Sequence, residues 1–172
     1  MWALFLVAFF SFLRKPNLVV DSPSVISDKL PRRRDFLLTS EEAFLRICAT
    51  KTIQFSQRIL KIPLPFIPSS PLRPVSALRN HFRLNSLASS DFLFSVRSSP
   101  ASPLRPITHR NFASFLSKIL SMLDLDPQSF SPHSFRRGGA SFAFECNVPG
   151  EFIKFQGDWR SDGYLVYLEM SV

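Results

Sequence analysis

The segment from Trp2 to Leu13 is apolar almost throughout, and it constrains the fold more than any other part of the chain. A segment with no polar side must be covered on all sides, either by protein or by lipid. It is shorter than the roughly 20 residues that cross a bilayer, no basic residue precedes it, and no small-residue cleavage site follows it. We therefore expect a buried helix over residues 2–13, and a membrane anchor is the less favoured alternative.

The 172 residues provide enough chain for one hydrophobic core and too little for two. Because 45% of them are apolar and only 20% are charged, the composition argues against disorder. The 21 Lys and Arg residues outnumber the 13 Asp and Glu residues and give a net charge of +8. We predict a single domain over residues 1–172 that binds a polyanion, with nucleic acid favoured over a membrane surface.

The cysteines and histidines show no metal-binding pattern. Cys48 and Cys146 lie far apart, and the three histidines are scattered without a paired Cys or carboxylate at ligand spacing. The sequence predicts no metal and no disulfide framework, which favours a reducing, intracellular compartment.

Periodicity predicts the secondary structure. Side chains alternate between apolar and polar in residues 44–49 and 59–64, joined by a polar turn that carries Lys51, which is typical of antiparallel strands. We expect a mostly α fold with a small antiparallel β-sheet, an α+β architecture. Further helices are predicted at 74–83, 107–125, 149–156 and 161–170, and Pro- and Ser-rich surface connections at 65–75 and 86–106.

The stretch "SPHSFRRGGA" carries the chemistry. Ser131 is a helix N-cap followed by Pro132 at the first helical position, so His133 and Arg136 lie on adjacent turns of one face. A helix N-terminus and a guanidinium bind phosphate oxygens, and an imidazole adds a proton donor or acceptor. This combination indicates phosphoryl transfer on a phosphodiester. The alternative is a solvated His and two solvated Arg at a helix start.

The chain from "SPHSFRRGGASF" through "GDWRSDGYLVYLE" resembles the C-terminal signature of the tyrosine recombinases, the phage integrase family. It is most similar to the forms in eukaryotic mobile elements of the Crypton and DIRS types. In that family an H-x-x-R pair opens a helix, a G-x-[HW] turn follows, and a nucleophilic tyrosine comes shortly after. Upstream, "FLRKPNL" resembles the segment of the first catalytic arginine, and "ATKTIQF" resembles the turn of the catalytic lysine. The implied catalytic residues are Arg14, Lys51, His133, Arg136, Trp159 and Tyr167.

The resemblance implies a role for each residue. Two arginines would stabilise the charge on the non-bridging oxygens, and the indole N–H of Trp159 would add a donor. Lys51 would protonate the departing 5′ oxygen, and His133 would handle the proton of the tyrosine. Tyr167 would form the covalent 3′-phosphotyrosine. Tyr164 competes for that role, but Tyr167 matches the spacing of the family better.

The resemblance also implies partners and context. Double-stranded DNA is the expected partner, with assembly of more than one copy on it, in the nucleus, during integration or recombination of a mobile element. No cofactor, metal or membrane is expected. Basic side chains would contact the DNA backbone. The five selected for that role are Arg32, Arg33, Arg34, Arg110 and Arg137.

Two departures from the family pattern leave alternatives open. Asn17 stands where relatives commonly have an acidic residue that braces the site, and Pro16 beside it could distort the helix that holds Arg14. The N-terminal domain that clamps DNA in the family is expected to be absent. A degenerate DNA-binding fragment without activity is therefore the main alternative, and a type IB topoisomerase is a more distant one.

Overall fold

The computed structural model describes residues 1–22, 29–40, 42–50, 53 and 58–168. Over these residues the fold is mostly α with a small antiparallel sheet, as the sequence predicts. The helices are α1 (Trp2–Ser11), α2 (Pro74–Asn85), α3 (His109–Met122), α4 (Pro132–Glu145) and α5 (Gly150–Gln156). The strands are β1 (Phe36–Leu38), β2 (Ala43–Ile47), β3 (Leu60–Pro63), β4 (Ser95–Val96) and β5 (Arg105–Pro106). Short 3₁₀-helices cover Lys15–Asn17, Arg33–Asp35, Pro127–Ser129 and Asp162–Tyr167.

Helix α1 forms the centre of the molecule. Every side chain from Ala3 to Ala8 is buried, and the helix packs against α2 and α4. This confirms the expected core helix. It ends at Ser11 because Phe12 adopts a left-handed backbone conformation with φ 51°. Across the described ranges, no helix has both the length and the apolar character needed to span a membrane.

A cluster of three phenylalanines joins α1 to α3 and α4. The ring of Phe5 lies 5.6 Å from that of Phe112 on α3 and 4.9 Å from that of Phe135 on α4. The rings of Phe112 and Phe135 are 5.6 Å apart and stacked. Such aromatic pairs stabilise by more than the area that they bury. They fix the start of α4 against the core.

Strands β1, β2 and β3 form an antiparallel sheet in sequence order. Leu45 on β2 pairs with Phe36 on one side and Ile62 on the other, and its side chain is fully buried. Burial alternates along β2 and β3 as the periodicity predicts. The sheet therefore presents one apolar face to the core.

Residues 86–106 differ from the expected surface connection. Leu87, Leu93 and Phe94 are buried, and β4 pairs with β5 in a two-stranded ribbon. Apolar residues separated by Ser and Asp give no period, so a polar composition masked a short segment of the core. Of the predicted surface connection 65–75, residues 65–73 lie on the surface with Pro65, Ile67 and Ser70 half-buried, whereas Pro74 and Val75 are buried at the start of α2.

Helix α4 begins after its predicted cap Ser131, and α3 lies within the predicted range 107–125 and begins after Thr108. The Thr108 hydroxyl accepts a hydrogen bond from the backbone N–H of Asn111, and the Ser131 hydroxyl accepts one from His133. The predicted helix at 161–170 is a tighter 3₁₀-helix from Asp162 to Tyr167, and residues 169–172 lie outside the described residues. The difference in helix type follows from its short length, because 3₁₀ geometry is common in such pieces.

Glycine at position 139 allows α4 to lie directly on the end of α1. A Cβ at Gly139 would lie 2.0 Å from the backbone oxygen of Phe9 and 2.9 Å from the ring of Phe12. A second, smaller apolar cluster forms at this contact around Phe12, Ala140 and Ile153. The rings of the aromatic residues near the C-terminus pack on this cluster, which places them beside α4.

Candidate active site

The first two turns of α4 present the side chains of the predicted site. Pro132 occupies the first turn, where its missing N–H costs nothing, and Ser131 caps the helix. His133 is exposed at the helix start, whereas Arg136 is buried one turn later. The helix therefore carries one solvent-facing imidazole and one buried guanidinium on the same face.

Arg136 is 2% exposed, an unusual position for a charged side chain. Its Nη1 donates to the backbone oxygen of Phe12, but no acceptor among the described residues reaches its Nη2. Burial lowers its pKa to about 9, and the positive charge of Arg14 contributes to the shift. A buried, charged donor without a partner is costly, and an anion bound at Nη2 would recover that cost.

His133 and Tyr167 form a polar pair at the mouth of the site. His133 Nε2 lies 3.3 Å from Tyr167 Oη, and the two rings meet edge to face at 5.6 Å. Partial desolvation by neighbouring atoms lowers the pKa of the exposed His133, and the charges of Arg136, Arg14 and Arg137 lower it further. The imidazole is therefore neutral near pH 7 and can accept the phenolic proton.

The indole ring of Trp159 covers the guanidinium of Arg136. The guanidinium carbon of Arg136 lies 3.7 Å from the centroid of the Trp159 ring, a cation–π contact. The ring of Tyr167 lies 5.9 Å from that of Trp159. Gly157 makes room for the indole, because a Cβ there would lie 1.6 Å from the Trp159 ring. The glycine of the G-x-[HW] turn thus has a steric function in this chain.

The two tyrosines of the 3₁₀-helix face different surroundings. Tyr167 is held at its phenol by His133 and at its backbone oxygen by the Ser141 hydroxyl of α4. Tyr164 packs on Trp159, and its hydroxyl lies 2.8 Å from where a Cβ at Gly150 would be. Tyr167 therefore lies beside the basic side chains, whereas Tyr164 packs against α5.

Arg14 follows α1 in extended backbone, with φ −76° and ψ 152°. Because α1 ends before it, Pro16 distorts no helix that carries Arg14; it occupies the start of the 3₁₀-helix Lys15–Asn17. The charge of Arg14 lowers the pKa of both His133 and Arg136, so its guanidinium lies within electrostatic range of both side chains. Lys51 lies outside the described residues. The structure thus brings together Arg14, His133, Arg136, Trp159 and Tyr167.

Asn17 links the chain after α1 to the segment after β2 by donating hydrogen bonds. It is 3% exposed, and its Nδ2 donates to the backbone oxygens of Ala49 at 2.8 Å and Lys29 at 3.3 Å. Both partners are acceptors, so the amide nitrogen is required and a carboxylate could not replace it. Relatives commonly have an acidic residue at this position. In this chain the two carbonyl neighbours require an amide donor instead.

We expect Asn17→Asp to destabilise the protein by about 2 kcal/mol, because a carboxylate would face two carbonyl oxygens in a buried position. Urea unfolding followed by circular dichroism measures this loss. Asn111→Asp is the matched control, since Asn111 uses its Oδ1 to accept from Thr108 and an aspartate keeps that acceptor. Equal stability of Asn17→Asp and the parent protein would contradict the assigned role of the amide.

The five arginines chosen for DNA contact have different environments. Arg32 stacks on Phe92 at 4.8 Å and Arg33 on Phe82 at 5.5 Å, and each also donates to a backbone oxygen. These contacts stabilise the fold locally. The other three are exposed, as Arg33 is too, and the charge of Arg137 acts on His133. These three are Arg34, Arg110 and Arg137.

Sequence reasoning missed the residues that support the site. Ser141 holds the backbone oxygen of Tyr167, and its only sequence signal is proximity to the motif residues. The buried Asp158, which accepts from Thr50, gives no local signal because its partner is distant in sequence. In the ranges that the structure describes, no group of three or more His, Cys, Asp or Glu could hold a metal ion.

The fold resembles solved tyrosine recombinases. The XerH site-specific recombinase, bound to difH substrate in a pre-cleavage complex, matches with a TM-score of 0.65 at 14% identity. That match covers 98% of this chain and 42% of the recombinase. The Tn1549 transposon integrase, in complex with circular intermediate DNA, matches with a TM-score of 0.55 at 12% identity. That match covers 99% of this chain and 53% of the integrase.

These matches identify the fold as that of a tyrosine recombinase catalytic domain. The chain spans about half the length of the solved structures that it matches. No family model matches the sequence, and no curated protein matches it either. At this level of identity the likeness extends to the architecture, because one fold can carry many functions.

Proposed function

We propose that this chain breaks and rejoins DNA strands as a tyrosine recombinase, through a 3′-phosphotyrosine intermediate. The observation that carries the proposal is the buried guanidinium of Arg136, whose Nη2 has no acceptor among the described residues, beside the Tyr167–His133 pair. An unpartnered buried cation next to a nucleophile and a base suits a phosphodiester, which brings the missing acceptor and the reacting atom together.

The proposed reaction balances without a cofactor. The Tyr167 Oη–phosphorus bond forms as the bond from phosphorus to the 5′ oxygen breaks. The phenolic proton passes to Nε2 of neutral His133, and Lys51 supplies a proton to the departing 5′ oxygen. Arg14 and Arg136 offset the charge that develops on the non-bridging oxygens. The reverse step, attack by a 5′ hydroxyl, reseals the strand.

The Trp159 indole has two functions in this proposal. Its face covers the guanidinium of Arg136 at 3.7 Å, which excludes water from the buried charge. Its N–H adds a donor for a phosphate oxygen. Together with the helix N-terminus of α4, these donors form a site for one backbone phosphate.

The wider context is also proposed. The matching structures of the XerH recombinase and the Tn1549 integrase are both DNA complexes, which supports double-stranded DNA as the partner. Strand exchange would require more than one copy of the protein on the DNA. The resemblance to Crypton- and DIRS-type sequences favours integration or recombination of a mobile element in the nucleus. The net charge of +8 agrees with a polyanionic partner.

A nicked duplex tests the proposal. We use a pool with randomised sequence around the nick, so that cleavage releases a short 5′-hydroxyl fragment and traps the covalent complex. The 5′-labelled strand should migrate with the protein on a denaturing gel. Retardation on a native gel without any covalent product would overturn the proposed enzymatic activity and favour the alternative of an inactive DNA-binding fragment. Absence of binding would overturn both.

A further inference from the structure

The hydroxyl of Ser141 connects helix α4 to the last residue of the C-terminal 3₁₀-helix. Ser141 Oγ donates to the backbone oxygen of Tyr167, which lies 26 residues later in the chain. A carbonyl at the end of a helix has no donor within that helix, so its donor must come from elsewhere. A serine inside a helix commonly donates to the carbonyl four residues before it, whereas this half-buried hydroxyl bonds a different element.

Helix α4 holds this tyrosine at two points. The phenolic oxygen of Tyr167 lies 3.3 Å from Nε2 of His133, and its backbone oxygen accepts from Ser141. Ser141 follows His133 by eight residues in α4, which is about 12 Å along a helix axis. Tyr167 therefore lies lengthwise beside α4, with its reactive end towards the helix start. Because Arg136 belongs to the same helix, the nucleophile, the base and the buried guanidinium are all positioned by one rigid element.

Ring packing alone does not place Tyr167 at the base. Tyr164 lies three residues earlier in the same 3₁₀-helix. That spacing is one turn of such a helix, so the two side chains project from the same side. Their rings lie at similar distances from that of Trp159, 6.1 Å for Tyr164 and 5.9 Å for Tyr167. The bond from Ser141 distinguishes the two tyrosines, because it is made to Tyr167 and fixes the 3₁₀-helix along α4.

We infer that Ser141 is a positioning residue for the nucleophile, which holds the backbone of Tyr167 so that the phenolic oxygen stays beside His133. The inference rests on the proposed function for the role of Tyr167, but the contact itself does not depend on catalysis. The hydroxyl bonds the backbone of the tyrosine and not its phenol, so it acts through the tyrosine. An attacking oxygen must be close to phosphorus and correctly aligned, and a displacement of about 1 Å slows such an attack strongly.

Fluorine NMR tests the contact without DNA. The chain has two tyrosines, so protein made with 3-fluorotyrosine gives one signal for each, and Tyr164→Phe identifies which is which. Ser141→Ala should move the Tyr167 signal towards that of free fluorotyrosine, because its ring loses the fixed contacts with His133 and Trp159. The Tyr164 signal should stay in place, and Ser141→Thr, which keeps the hydroxyl, should retain the parent spectrum. Unchanged signals in Ser141→Ala, or equal movement of both, would overturn the inference.

Covalent-complex formation tests the effect on the nucleophile. On a nicked duplex recovered from the randomised pool, Ser141→Ala should form the adduct about tenfold more slowly than the parent in a single turnover. Its affinity for the same duplex on a native gel should equal that of the parent, because the hydroxyl is bonded to protein. Ser141→Thr should retain most of the parent rate. Ser114→Ala is the matched control, since it makes the same change at an exposed position within α3 and should leave both the rate and the affinity unchanged.

The outcomes separate positioning from a merely structural role and from failure of the proposed function. Alanine is a good helix former, so Ser141→Ala should remain folded. A structural role alone would lower the adduct rate and the DNA affinity together, and that result would contradict the inference. A parent-like adduct rate for Ser141→Ala, or an equal loss of rate in Ser141→Thr, would also contradict it. If the parent protein forms no adduct, the proposed function fails, and the fluorine signals still decide whether Ser141 holds Tyr167.

Discussion

Tyr167→Phe should form no covalent complex with the nicked duplex while it binds the same DNA as tightly as the parent protein does. The phenolic oxygen is the atom that attacks phosphorus in the proposed reaction, and phenylalanine removes it while keeping the ring. The ring contacts with His133 and Trp159 are therefore retained. The measurement is the labelled strand that stays with the protein on a denaturing gel, compared with retardation on a native gel.

Tyr164→Phe is the matched control for this prediction. Its hydroxyl lies against Gly150 and its ring packs on Trp159, so the phenylalanine should retain adduct formation. If Tyr164→Phe loses the adduct and Tyr167→Phe keeps it, the assignment of the nucleophile is wrong. If neither change affects the adduct, neither tyrosine forms it.

Gly139→Ala should destabilise the protein by about 3 kcal/mol or more, because overpacking against backbone cannot be relieved by rotating a side chain. The added Cβ would lie 2.0 Å from the backbone oxygen of Phe9. Helix α4 would have to move away from α1, which also separates Arg136 from the carbonyl of Phe12. Urea unfolding gives the loss in stability, and the adduct assay should show reduced activity of the folded fraction.

The neighbouring glycine provides the control. A Cβ at Gly138 would meet only the Phe9 ring, at 3.8 Å, which is an ordinary contact. Gly138→Ala should therefore be neutral or stabilise the helix by up to about 1 kcal/mol, because alanine is the better helix former. Similar losses for both alanine variants would contradict the close approach of the two helices at Gly139.

The parts of the fold that the sequence predicts are those with a strong local signal. Helix α1 is uniformly apolar, β2 alternates, α3 has a helical period, and α4 has an N-cap followed by proline, so each could be recognised from a single window. Residues 86–106 could not, because Leu93 and Phe94 enter the core from a polar, proline-rich stretch without periodicity. Their burial is a property of the tertiary structure.

For the candidate site, the sequence names the motif residues but not the contacts that support them. The motif residues gather because the order of elements in this fold brings the start of α4, the chain after α1 and the C-terminal 3₁₀-helix together. The supporting contacts could not be foreseen, since Asn17 with Ala49 and Thr50 with Asp158 join residues that share no local pattern. Asn17 departs from the family pattern, and its two carbonyl acceptors are the reason that an amide is needed there.

Both side chains that hold Tyr167, His133 and Ser141, precede it along the polypeptide. Because a ribosome builds the chain from its amino end, His133 and Ser141 are both synthesised before the tyrosine that they contact. Translation that halts within or just after α4 therefore yields products that lack Tyr167. Under the proposed function, such an unfinished copy could form no covalent complex with DNA.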